Sequence, residues 1–107
     1  MNATMRAAVL EGPRTIKVQA RLMPELNAGM VMLRVCRAGI CGSALHYFEH
    51  GACGAFVPTR PFIPGHEFAA GVAVLGDGVN QLPVGARVTA NPARACGVCD
   101  ICRGEDW

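Results

Sequence analysis

The sequence has little charge, few aromatic rings and no long apolar run. Ten Lys and Arg against eight Asp and Glu give a net charge of +2. Such a balance forms no basic stripe, which excludes nucleic acid and an anionic membrane surface as expected partners. No apolar run reaches the roughly 18 residues of a membrane span. The segment from Met1 to Arg6 leads straight into strand-like sequence, without a signal peptide's apolar core and small-residue cleavage site, which points to the cytoplasm. No Gly-x-Gly-x-x-Gly follows a strand, so the fingerprint of a dinucleotide site is missing. At 107 residues the chain reads as one domain, too short for a core plus a complete dinucleotide-binding domain.

What is present is apolar and turn-rich: 51% hydrophobic residues, 13 Gly, 7 Pro and 6 Cys. Short strands and many turns follow from that composition, rather than a helical bundle. Met5 to Leu10 is an apolar run broken by Gly12-Pro13. From Thr15 to Ala20 the residues alternate, with Ile16, Val18 and Ala20 on one face, the period of a half-buried strand. Pro24 to Gly29 is a loop. Met30 to Arg37 is a strand with Val31, Leu33 and Val35 on one face and Cys36 opposite as a small packing residue.

Ser43 to Glu49 supports one or two helical turns with Ser43 as N-cap. Gly51 to Pro64 is a long loop, a length more often functional than idle. Phe68 to Leu75 is an uncharged strand suited to burial on both sides, Asp77-Gly78 is a turn, and a last strand is expected at Ala86 to Ala90. Five or six short strands with little helix predict a small mainly β fold, a barrel or sandwich.

Two constellations carry chemistry. The first runs from Gly39-Ile40-Cys41-Gly42-Ser43 to Pro64-Gly65-His66-Glu67, a thiol, an imidazole and a carboxylate. Zinc accepts that mixture, and a catalytic site needs only three protein ligands and an open position. Gly65 is expected to take a positive φ in the turn that brings His66 toward Cys41. The second is Cys96-Gly97-Val98-Cys99-Asp100-Ile101-Cys102, a knuckle spaced to wrap a metal ion, three ligands of the four a structural zinc takes. Cys36 and Cys53 are available in principle as a fourth. With no export signal, reduced and metal-bound thiols are favoured over a disulfide scaffold.

Taken together, Arg37-Ala38-Gly39-Ile40-Cys41-Gly42-Ser43, Leu45-His46-Tyr47, Pro64-Gly65-His66-Glu67 and the knuckle after Asn91-Pro92 resemble the zinc-dependent medium-chain dehydrogenases. The likeness is to their polyol branch, the sorbitol and L-idonate dehydrogenases. The run from Leu45 to Gly51 most resembles the idonate members. The resemblance implies a GroES-like, partly open β-barrel with short helices as the N-terminal catalytic domain, spanning 1–107 with a structural-zinc lobe from about residue 91 that is cut off. A Rossmann domain binding NAD or NADP would follow in the full protein.

By the same resemblance Cys41 and His66 match catalytic zinc ligands, and Glu67 the carboxylate that binds the metal or stands beside it. Ser43 matches the hydroxyl that relays the substrate proton, and His46 the histidine at the outer end of the relay. Tyr47 and Phe56 match substrate-lining aromatics, against the plainer reading of both as core. Cys96, Cys99 and Cys102 match structural-zinc ligands, the fourth being expected past Trp107. His50 and Cys53 read as loop residues without a role.

Where the family usually carries Asp after the Ser, this chain has Ala44, and loss of such a second partner costs roughly ten- to a hundredfold in metal affinity or activity. The expected function is oxidation of a secondary alcohol in a polyol or sugar acid by a homo-oligomeric enzyme, the fragment alone being inactive. Rivals are another zinc alcohol or threonine dehydrogenase, a non-catalytic zinc-binding β module, and a metal-free reductase, which should lack both motifs.

Overall fold

The computed structural model describes residues 3–104. Among the described residues five strands and two short helices follow in the order β1 (Thr4–Gly12), β2 (Thr15–Leu22), β3 (Val31–Ala38), α1 (Gly42–His50), β4 (Phe68–Leu75), β5 (Arg87–Val88) and α2 (Asp100–Arg103). The mainly β class with little helix is as the sequence predicts. Among the described residues the strands form a two-stranded sheet, β1-β2, and a three-stranded sheet, β3-β4-β5, and do not close into a barrel.

β1 and β2 pair antiparallel from Thr4↔Leu22 to Gly12↔Thr15, with an irregularity between Leu10 and Gly12. Gly12-Pro13 ends the first strand as the sequence requires, because Pro has no N–H for the ladder and fixes φ. The turn is completed by Arg14 at φ 58. Arg14 then ties the turn to α1: its backbone N–H donates to the Phe48 carbonyl (2.6 Å), its guanidinium pairs with Glu49 and also lies 5.7 Å from the Phe48 ring centroid. Further along β1, Leu10 and Phe62 exchange both backbone hydrogen bonds (2.9 and 3.2 Å), which fixes the long loop after α1 against the hairpin.

The core is small. Among the described residues Ala7, Val9, Leu10, Ala70 and Val72 are its buried apolar residues, and Val9 alone of the larger side chains is wholly enclosed. Burying a side chain of that size contributes roughly 1.5–3 kcal/mol. The Cα radius of gyration, 16.3 Å, exceeds the ~13 Å expected of a compact chain of this length. The alternating face of β2 exists but is not covered: Ile16, Val18 and Leu22 are 46%, 61% and 62% exposed.

Four local expectations are corrected. Ser43 is not the N-cap of α1: Cys41 is, at φ −82 and ψ 154, so Ser43 lies one residue inside the helix. Phe68 to Leu75 is not buried on both sides: Ala70 and Val72 are buried, whereas Ala69 and Val74 are exposed and the other four residues half-buried. The last strand is only Arg87–Val88, since just Ala70↔Val88 and Gly71↔Arg87 pair. Cys36 does not pack: the β3–β4 register slips between Val35 and Arg37, which leaves its side chain exposed, with Sγ 3.5 Å from the Arg34 carbonyl.

Candidate metal centre

β3 and β4 are antiparallel neighbours whose last register pair is Ala38↔Phe68. The ladder carries on one step beyond the strands, the Gly39 N–H donating to the Glu67 carbonyl at 2.8 Å. This clamp sets the segment leaving β3 beside the segment entering β4. Cys41 and the pair His66-Glu67 are therefore delivered to one place by the sheet. Cys41 Sγ, a His66 ring nitrogen and a Glu67 carboxylate oxygen all lie within 4.8 Å of one another.

Local backbone chemistry completes the arrangement. Cys41 caps α1 through its backbone only, without a side-chain hydrogen bond, so the thiol is not spent on the helix. Gly65 sits at φ 115, where a side chain would be strained, and so turns the chain into His66 as its sequence position suggests. A residue that sequence reasoning missed is Gly39. A Cβ built there would stand 3.0 Å from Glu67 Oε2 and 3.4 Å from Glu67 Cβ, so the carboxylate occupies the space glycine leaves. Its signal was the Gly two residues before Cys41.

The donor set suits zinc. A thiolate, a carboxylate and a neutral imidazole match a borderline dication in charge and kind. Donors around one zinc stand about 3.3–3.8 Å apart when bonds are about 2.0–2.3 Å, so separations within 4.8 Å close by small side-chain rotations. Cys41 is half-buried and His66 and Glu67 are exposed, leaving an approach for a small molecule.

Ser43 and His46 fall on the first turns of α1, three residues apart and hence on one helix face, Ser43 half-buried and His46 exposed. Tyr47 meets Phe62 edge to face, with centroids 5.3 Å apart and planes at 79°. With Phe56 it lines a shallow cleft of about 380 Å³ whose walls include Arg60 and Phe62. Phe56 is 76% exposed, so the plain core reading of that ring falls. Ala44 lies in an apolar hollow lined by Ile40, Leu45, Phe48 and Pro64.

The knuckle is a self-contained second cluster. Cys99 Sγ and Cys96 Sγ lie 3.3 and 3.6 Å from Cys102 Sγ. Disulfide sulfurs sit at about 2.05 Å, whereas sulfurs sharing a tetrahedral zinc at about 2.3 Å stand roughly 3.8 Å apart. Gly97, at φ 77, turns the backbone so that the Cys99 N–H reaches Cys96 Sγ at 3.4 Å, and the Cys102 N–H reaches Cys99 Sγ at 3.4 Å. The N–H of Val98, then that of Cys99, and the neighbouring thiols lower the Cys96 thiol from its ordinary value to about 7. Among the described residues neither Cys36 nor Cys53 joins the three.

Comparison with known proteins follows the same lines. Residues 27–107 match the model of the alcohol dehydrogenase GroES-like domain. Sorbitol dehydrogenase of Bacillus subtilis (strain 168) is 42% identical over 99 residues, 92% of this chain and 28% of its own length. The solved L-idonate 5-dehydrogenase from Escherichia coli str. K-12 substr. MG1655 superposes with a TM-score of 0.84 at 32% identity, over 96% of this chain and 29% of that one. An alcohol dehydrogenase from E. coli CFT073, complexed with NADH, gives 0.79 at 33% identity, over 94% and 28%. The chain thus spans less than a third of the length of these relatives. By the domain match and by the fold, this chain belongs to the zinc-dependent medium-chain alcohol and polyol dehydrogenases, as their GroES-like domain.

Proposed function

We propose that the chain is the catalytic domain of an NAD(P)-linked dehydrogenase that oxidises a secondary alcohol of a polyol or sugar acid to the ketone, with L-idonate the first substrate to try. The observation that carries this reading is the convergence of Cys41, His66 and Glu67, from the two ends of the stretch 41–67, on one point. A scaffold or binding module has no use for a mixed thiol, imidazole and carboxylate set with an open approach.

Cys41, His66 and Glu67 would hold the catalytic zinc, and Cys96, Cys99 and Cys102, with a ligand from outside the described residues, the structural one. A zinc ion in the first site supplies Lewis acidity that lowers the pKa of an alcohol oxygen. The residues around it bind and move the proton. The Ser43 hydroxyl accepts it from the substrate hydroxyl while donating its own toward His46, and the exposed imidazole of His46 gives it to solvent. Tyr47 and Phe56 orient the carbon chain of the substrate in their cleft. The nicotinamide is assigned to a Rossmann domain outside this chain, and the full protein to the cytoplasm as a homo-oligomer. The short span of this chain against its relatives supports the first of these.

The test is purification of the full-length protein, zinc counting by native mass spectrometry, and turnover of L-idonate, sorbitol and L-threonine with NAD+ and with NADP+. Two zinc ions per chain and sugar-acid or polyol oxidation are expected. Cys41→Ser should lose one zinc and reduce kcat/KM by at least about a thousandfold, roughly the worth of several kcal/mol. Retained zinc and activity in that variant would sink the metal assignment. Preference for L-threonine would move the protein to the neighbouring branch.

A further inference from the structure

α1 carries a pair of imidazoles that neither metal cluster uses. His46 and His50 are one turn apart, both exposed, with ring centroids 6.0 Å apart and planes inclined at 34°. The residues between them are committed elsewhere: Tyr47 to Phe62, Phe48 and Glu49 to Arg14. His50 closes the helix as its last residue rather than lying in the loop, which brings it into step with His46.

Two imidazoles on one ion, with metal–nitrogen bonds of about 2.0–2.1 Å, hold their ring centroids roughly 5–6 Å apart. The observed spacing reaches that by rotation about the side-chain bonds alone. Glu49, the acidic residue between them, is turned to Arg14, so the site offers nitrogen and no carboxylate. That selects against Mg2+ and Ca2+ and for Ni2+, Cu2+ or Zn2+.

We propose that His46 and His50 form a surface transition-metal site in which the two imidazoles hold one Ni2+, Cu2+ or Zn2+ ion and water fills the remaining positions. This rests in one respect on the function proposed above: if His46 passes the proton outward, an ion on its ring nitrogen occupies the lone pair that accepts that proton, and the site is inhibitory.

Ni2+ is the probe of choice, because it does not oxidise thiols as Cu2+ does. Full-length protein with its zinc in place, confirmed by native mass spectrometry, is titrated with Ni2+ above neutral pH, where imidazole is free to ligate. One added Ni2+ per chain is expected, with two imidazole ligands in its X-ray absorption spectrum. His50→Gln should leave turnover without Ni2+ unchanged, show one imidazole instead of two, bind Ni2+ about tenfold or more weakly and resist Ni2+ inhibition to the same extent. No Ni2+ uptake beyond the zinc complement, or an affinity and spectrum indifferent to His50→Gln, would overturn the site. Two-imidazole binding with undiminished turnover would leave the site standing and overturn the proton-relay role of His46, so the two readings fail separately.

Discussion

The knuckle and the mixed cluster both gather side chains of metal-ligating type, but they are assembled in opposite ways. Cys96, Cys99 and Cys102 meet within one short stretch, held by the turn at Gly97 and by N–H groups of that same stretch. Cys41, His66 and Glu67 meet because β3 and β4 pair in register and the ladder extends to Gly39 and Glu67. The first geometry is local, made by groups within residues 96–102. The second is a property of the sheet, so it is sensitive to residues that never touch a metal. A ligand set made by tertiary pairing can thus be broken without altering any ligand.

That difference is open to attack in a graded series. The largest effect is expected from Cys102→Ala, which removes the thiol standing beside both others. The protein should lose one zinc per chain, with the zinc at Cys41 retained, as native mass spectrometry would show. Loss of both ions would mean the clusters are not independent and the contrast is wrong. Next is Gly39→Val, which places a branched side chain where the Glu67 carboxylate now lies. Affinity at the mixed cluster should fall roughly ten- to a hundredfold while the knuckle keeps its ion. An unchanged zinc count under competition with a chelator would show that the clamp does not position Glu67.

A smaller effect, in the opposite direction, is expected of Ala44→Asp. The family pattern has a carboxylate there, but in this chain the position opens into an apolar hollow beside Ile40 and Phe48. A gain in zinc affinity of up to about tenfold is expected if the carboxylate reaches a ligand, offset by the cost of placing it among apolar groups. No gain would mean that the hollow has been refitted around alanine.

Much of the local plan was legible in the sequence. β4 runs over Phe68–Leu75, the range its uncharged composition suggests, and α1 covers the expected turns. The knuckle could be read from spacing alone because its geometry is made within its own stretch. The mixed cluster needed two words far apart in the chain: their donor types suggest one zinc site, but the pairing that brings them together is made by the sheet and not by spacing. What escaped were features set by neighbours. Cys36 is exposed because of a register slip, which no residue type announces. The Ser43 cap failed because Cys41 takes that place with its backbone, and cap preference is a statement about side chains. The β2 face alternates correctly yet stays open, since periodicity says which residues share a face and not what covers it.

The smallest effect serves as the control. On the β1-β2 hairpin, Glu11 accepts a hydrogen bond from Gln19 at 2.6 Å and pairs with Lys17 Nζ at 3.2 Å. Lys17 first, and then Gln19, hold its carboxyl below the ordinary value. A carboxyl lowered in the folded state stabilises the fold above its ordinary pKa, and that contribution is lost as pH falls through the lowered one. Exposure and salt screening keep the contribution small. Lys17→Met should raise the Glu11 pKa toward its ordinary value in an NMR titration and reduce the acid stability of the hairpin slightly, leaving both zinc sites filled. If zinc at Cys41 were lost instead, the hairpin would be a working part of the mixed cluster, and the β3–β4 clamp would not be sufficient to build it.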